Sequence, residues 1–132
     1  MADNVGTLKK GYEAYGQGDL DGALEHWADD AVWEGSNSEE LPGGGTAEGK
    51  DAIKQTLARI PEFWESFTVT PDEYVEDGDT VVVLGHSEGK AKETGDSVKQ
   101  PWVHVYRMED GQVKRIQLLN DTYQTAQVLG IA

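Results

Sequence analysis

Hydrophobic positions follow a helical period over the first third of the chain and a strand period over most of the remainder. Val5, Leu8, Tyr12 and Tyr15 step by 3, 4 and 3, which puts all four on one helical face. Gly16-Gln17-Gly18 ends that helix, because glycine supplies the left-handed conformation that helix C-termini favour. Asp19 then serves as N-cap for a second short helix, with Leu20, Ala23, Leu24 and Trp27 on its buried side. Asp29-Asp30 closes the segment, and Ala31-Val32-Trp33-Glu34 reads as a short strand. Residues 35–49, GSNSEELPGGGTAEG, carry three consecutive glycines, a proline and no period, so they form a loop. A loop of that length is either a binding loop or lid, or simply a mobile connection, and the sequence leaves both open. A third helix begins at about Lys50, with Ile53, Leu57 and Ile60 on one face. Pro61 ends or kinks it, and Phe63, Trp64 and Phe67 follow directly.

From Ser66 the period becomes two. SFTVTPDEYV, TVVVLGHSEG, SVKQPWVHVYRM and QVKRIQLLN are four strand-like runs. Asp77-Gly78 and Asp110-Gly111 separate two successive pairs, and Asp-Gly is a strong hairpin signal. The last three runs therefore read as an antiparallel meander. Asp121-Thr122 offers an N-cap for a final short helix with Ala126 and Leu129, stopped by Gly130. Helices followed by a curled antiparallel sheet make an α+β architecture. With no internal repeat and no linker, residues 1–132 are expected to form a single domain. Three helices cannot cover both faces of four long strands. One sheet face should hold the helices and any pocket, and the other is solvated or buried in an oligomer.

Composition narrows the function classes. The 132 residues are about one domain, enough for one real core. Hydrophobic residues at 37%, with four Trp and five Tyr, argue against disorder despite a formal charge of -14. The acidic balance, 25 Asp and Glu against 11 Lys and Arg, argues against nucleic acid or an anionic membrane surface as partner. Without Cys there is no disulfide framework, thiol nucleophile or thiolate metal site. The chain start lacks the pattern of a secretory signal and no apolar run approaches membrane-spanning length, so a cytoplasmic protein is expected.

Strand parity sorts the candidate chemistry. Gln100, Trp102, His104 and Tyr106 share one face of their run, a large, amphipathic, hydrogen-bonding set. Val103, Val105 and Arg107 share the other, which suits sheet-to-sheet contact in a homodimer. If the hairpin near Lys92–Asp96 brings residue 86 opposite residue 104, His86 and His104 are cross-strand neighbours. A one-residue slip would put His86 on the opposite face. In the last run Leu118 and Asn120 align with Ile116. No phosphate loop, dinucleotide fingerprint, metalloprotease helix or nucleophile elbow is present, and the three His lack metal-ligand spacing. No cofactor is expected.

The order of segments GDLDGALEHWADDAVWE, a Gly-rich loop, GKDAIKQTLARIPEFWESF, DGDTVVVLGHSEGKA, PWVHVYRMEDGQV and a closing NDT resembles the SnoaL-like proteins of the nuclear-transport-factor-2-like superfamily. That superfamily also holds ketosteroid isomerase, polyketide cyclase and limonene epoxide hydrolase. The resemblance spans essentially the whole chain. It implies a cone-shaped, curved mixed and antiparallel sheet wrapped around three N-terminal helices, a cavity between them, a short C-terminal helix, and dimerisation through the outer sheet face. The residues that carry catalysis in those enzymes are displaced or missing. The isomerases' base Asp falls on Gly35, beside Glu34; their oxyanion-binding Tyr falls near Gly11, next to Tyr12; their protonated pocket Asp falls on His104. The cyclases' acidic residue in the last strand falls on Leu118, and the epoxide hydrolases' Arg with two Asp is not recognisable.

His104, Glu34 and Asn120 are therefore the candidate catalytic residues. His104 is a general base or polar anchor, or else a core histidine satisfied by Tyr106 or Gln100. Glu34 is a base if burial raises its pKa, and otherwise a solvated carboxylate. Asn120 is a carbonyl ligand, or pairs with the chain end. Candidate lining comprises Tyr15, Trp33, Phe63 and Trp64 from the first half, with His86, Trp102, Tyr106 and Leu118 from the sheet. The function expected is a pocket for a small hydrophobic, oxygenated compound. Either it performs cofactor-free isomerisation, cyclisation or hydrolysis, or it is a non-catalytic ligand-binding or dimeric assembly module.

Overall fold

The computed structural model describes residues 3–131. The first helix, α1, spans Asn4–Gly16 and is followed by the one-turn α2, Leu20–Ala23. Side-chain carboxylates cap both: Asp3 accepts from the Gly6 N–H and Asp19 from the Gly22 N–H, each at 2.9 Å. Strand β1, Trp27–Glu34, and the short β2, Thr46–Glu48, lead to α3, Lys50–Arg59, with a 3-10 turn at Ile60–Glu62. Four long strands follow: β3 (Trp64–Asp77), β4 (Thr80–Ala91), β5 (Ser97–Glu109) and β6 (Gln112–Asn120). The last helix, α4, covers Thr122–Val128, capped by Asp121 on the Gln124 N–H at 2.9 Å.

All six strands form one curved mixed sheet in the order β2-β1-β6-β5-β4-β3. β3 to β6 make an antiparallel meander, and β1 pairs parallel with β6. The β5–β6 turn has positive φ at both Asp110 and Gly111, which is why Asp-Gly stands there. Register shifts in β3 near Pro71 and in β6 at Lys114, opposite Arg107/Met108 of β5, bend the sheet around the helices. The main core lies on the concave side. Ile53 of α3, Val81 and Val83 of β4, and Val113 and Ile116 of β6 belong to one cluster, all fully buried.

Two boundaries differ from the sequence reading. Trp27 starts a strand instead of ending a helix, because residues 27–34 pair with β6: the Val113 N–H donates to the His26 carbonyl at 2.9 Å. The register shift between Trp27 and Val32 lets Asp29 and Asp30 stand out in water. The segment taken as all loop contains β2, with Ala47 opposite Trp33; one small buried residue gives no legible alternation. Of the two registers left open for His86, the structure has the one that separates it from His104, so its place in the expected lining is corrected. His86 lies opposite Pro101 and His104 opposite Val83, so His86 points to the outer face and hydrogen-bonds Asp72 at 2.7 Å.

Candidate functional site

α1, the 3-10 turn and the Gly-rich loop close over the concave sheet and leave a cavity of about 170 Å³. Its walls are aromatic. Tyr12 and Tyr15 come from α1, Trp33 from β1, Trp64 and Phe67 from β3, and Trp102, His104 and Tyr106 from β5. These β5 residues share a face because the strand alternates, and they meet α1 because Tyr12 lies on its Leu8–Tyr15 side. Among the described residues no Asp or Glu lines the cavity, and no group of three His, Cys, Asp or Glu could hold a metal ion.

The polar centre is a chain of three side chains. The Tyr106 hydroxyl donates to the Tyr12 oxygen at 2.7 Å, and Tyr12 O–H in turn meets His104 Nδ1 at 2.7 Å. Tyr12 has one proton and receives one from Tyr106, so it donates to Nδ1 and leaves the imidazole proton on Nε2. His104 stacks on Trp102, ring centroids 3.9 Å apart and planes 18° apart, and the Tyr12 ring lies beside both, 5.8 Å from Trp102 and 5.9 Å from His104. Burial lowers the His104 pKa from 6.5 to about 3, so the ring is neutral at neutral pH. Burial likewise pushes the Tyr12 and Tyr106 hydroxyls upward, keeping both protonated. The result is a neutral Nε2–H donor with no partner among the described residues.

The Gly-rich loop is fastened to itself and to the wall. Trp33 Nε1–H donates to the Gly43 carbonyl at 2.8 Å, and Gly35 N–H to Gly45 O at 2.8 Å. Leu41 is buried at its centre, and Ser36, Leu41, Pro42 and Gly43 face the cavity. A Cβ at Gly35 would stand 2.0 Å from Gly43 O, so only glycine allows this crossing.

Of the sequence candidates, His104, Tyr15, Trp33, Trp64, Trp102, Tyr106 and Leu118 line the cavity together, and Asn120 sits exposed at its rim. Three do not reach it. Glu34 alternates with Trp33 along β1 and pairs with Arg115 of β6. Phe63 ends the 3-10 turn and packs with the second cluster around Trp64, Ala91 and Val98. His86 lies outside, as described. Tyr12, Phe67, Val69 and Ser87 line the cavity without having been singled out. For Tyr12 the signal existed, since it shares a helical face with Tyr15.

A family model for the SnoaL-like domain matches residues 8–116. No curated protein matches the chain. Among solved structures, an NTF2-like protein of unknown function from Burkholderia pseudomallei K96243 is 31% identical, covers 98% of each chain and superposes with a TM-score of 0.90. TerC, co-crystallised with polyporic acid, is 28% identical over 96% of this chain and 98% of its own, with a TM-score of 0.87. A Catenulispora acidiphila DSM 44928 protein with a ketosteroid isomerase-like fold, in complex with trimethylamine, shares the fold at 17% identity, 98% and 94% coverage and a TM-score of 0.80.

Proposed function

The chain belongs to the SnoaL-like domain family, and on that footing we propose that its cone binds one small, hydrophobic, oxygen-bearing molecule anchored at His104. The observation that carries this reading is the Tyr106–Tyr12–His104 chain on the wall of an aromatic cavity that no carboxylate lines. Tyr12 fixes the tautomer, burial fixes the charge, and the free Nε2–H is presented to an acceptor such as a carbonyl oxygen. Such a donor polarises a carbonyl, which eases cofactor-free isomerisation or ring closure. A proton must still be taken from carbon, and a histidine whose pKa is about 3 is a weak base for that step. Ligand binding with carbonyl polarisation is thus favoured over turnover. TerC's crystallisation with polyporic acid supports a small-molecule occupant.

Native mass spectrometry of the purified protein, followed by titration with 2-naphthol, tests the reading. Binding is expected, and His104→Gln, which keeps a polar side chain of similar reach, should weaken it by roughly 2 kcal/mol, about 30-fold. Unchanged affinity in that variant would retire His104 as the anchor.

The partner proposed for the outer sheet face is a second copy of the chain. Leu84, Val103 and Leu119 stand in register across β4, β5 and β6, with Val82 and Val105 in the next row. Leu119 is 51% exposed and Leu84 36%, on a face that none of the helices α1–α3 covers. Sedimentation at concentrations on the order of tens of micromolar should give a dimer, and Leu119→Asp a monomer. A monomeric parent protein would end the proposal.

A further inference from the structure

The concave face of the β4–β5 ladder is built in rows. Val83 stands opposite His104, Gly85 opposite Trp102, and Ser87 opposite Gln100. The Trp102 ring lies over Gly85, where an added Cβ would come within 2.3 Å of its Cζ2 atom. His104 and Gln100 are four residues apart on β5, roughly 13 Å at the usual strand rise, with the indole between them. Beyond the indole is a second polar spot. Ser87, Gln100 and Thr125 are buried and line the cavity. Gln100 and Thr125 are committed to α4. Gln100 Oε1 accepts the Asp121 N–H and its Nε2 donates to Thr125 Oγ1, each at 2.9 Å, while Thr125 donates to the Asp121 carbonyl at 3.0 Å. One N–H of the Gln100 amide is left over. Ser87, directly across the ladder, stands with its Cβ about 5 Å from that of Gln100. Its hydroxyl forms no hydrogen bond among the described residues and keeps surface open to the cavity.

Resting on the pocket reading above, we propose that Ser87 is the specificity-determining contact of the cavity. It selects an elongated, neutral molecule that carries a hydroxyl at the end remote from the oxygen held by His104, with its apolar middle on Trp102. A serine hydroxyl both donates and accepts, and the Gln100 N–H donates. A ligand hydroxyl can therefore give its proton to Ser87 Oγ and accept one from Gln100. A carbonyl in the same place would use the donors and leave the Ser87 oxygen idle. Among the described residues no Asp, Glu, Lys or Arg lines the cavity, so a charged group at that end would be buried without a counter-charge.

Calorimetric titration of the whole chain at neutral pH with 6-acetyl-2-naphthol and with 2-acetylnaphthalene tests the assignment, because the two ketones differ by one hydroxyl at the end remote from the carbonyl. The hydroxylated ketone should bind about tenfold more tightly. Ser87→Ala and, independently, Ser87→Gly remove the side-chain hydroxyl, and each should bring the two affinities to within about twofold of each other. A serine that only fills space or holds a water would give no such preference to lose. Equal affinities on the parent protein, or a tenfold preference that survives in either Ser87 variant, overturn the inference while the pocket reading stands. If neither ketone binds, both fall.

Discussion

Acidification from about pH 7 to about pH 4 is expected to destabilise the fold, and His104→Gln to remove much of that loss. The folded protein holds His104 at about 3, whereas the unfolded chain returns it to 6.5. Between those values the unfolded state binds the proton and the folded state does not. The contribution is therefore complete above 6.5 and is lost as pH falls, with a limiting slope of about 1.4 kcal/mol per pH unit. Asp21 and Asp30 act in the same direction, because Lys54 and Lys114 hold their carboxyls below the usual range. Both are fully exposed and are shared by parent and variant, so the difference between the two proteins isolates the imidazole. Urea melts at both pH values on both proteins measure it. Parallel losses would mean that His104 titrates normally.

Gly85→Ala should lower stability by about 3 kcal/mol, the upper end for overpacking a filled core. Backbone conformation is not the reason. The added carbon would lie 2.3 Å and 2.5 Å from Trp102 ring atoms and 2.4 Å from the Thr70 carbonyl. The indole cannot retreat easily, since His104 and Tyr12 are stacked on it. Any ring movement intrudes on the cavity, so probe binding should fall together with a melting temperature drop of roughly 10 °C. Gly16→Ala is the control: nothing lies within 4 Å of a Cβ there, and the position ends a helix. If Gly85→Ala melts like the control, the seat for Trp102 is not tight.

Local chemistry was readable from the sequence wherever its partners lie nearby in the chain. Asp19 and Asp121 cap the residues they were expected to cap, and Asp110-Gly111 makes the turn its dipeptide predicts. Alternation in TVVVLGHSEGKA and SVKQPWVHVYRM identified β4 and β5 and put Trp102, His104 and Tyr106 on one face. What was illegible depends on distant partners. Trp27 is strand because β6 claims it, and helical spacing alone could not reveal that. The parity of His86 relative to His104 depends on cross-strand register, which the hairpin sequence does not fix. Tyr12 and His104 were each visible as face residues, but their bond spans 92 positions of chain. The seat at Gly85 is likewise made by a distant partner, the Trp102 ring from the neighbouring strand, and a glycine alone does not announce it.

That 92-residue span has a kinetic consequence. The hairpins β3–β4, β4–β5 and β5–β6 close short loops, whereas bringing Tyr12 to His104, or Trp33 beside Ile116 of β6, closes most of the molecule. The local pairings should form early, and α1 with β1 should dock late onto a meander already in place. Only that last step brings the two sides of the cavity together, so a bound molecule has nothing to grip in the folding transition state. It stabilises the finished protein alone, which leaves the rate of folding unchanged and slows the rate of unfolding. In a cell, the supply of occupant would then set how long each folded copy survives, without altering how quickly new copies fold.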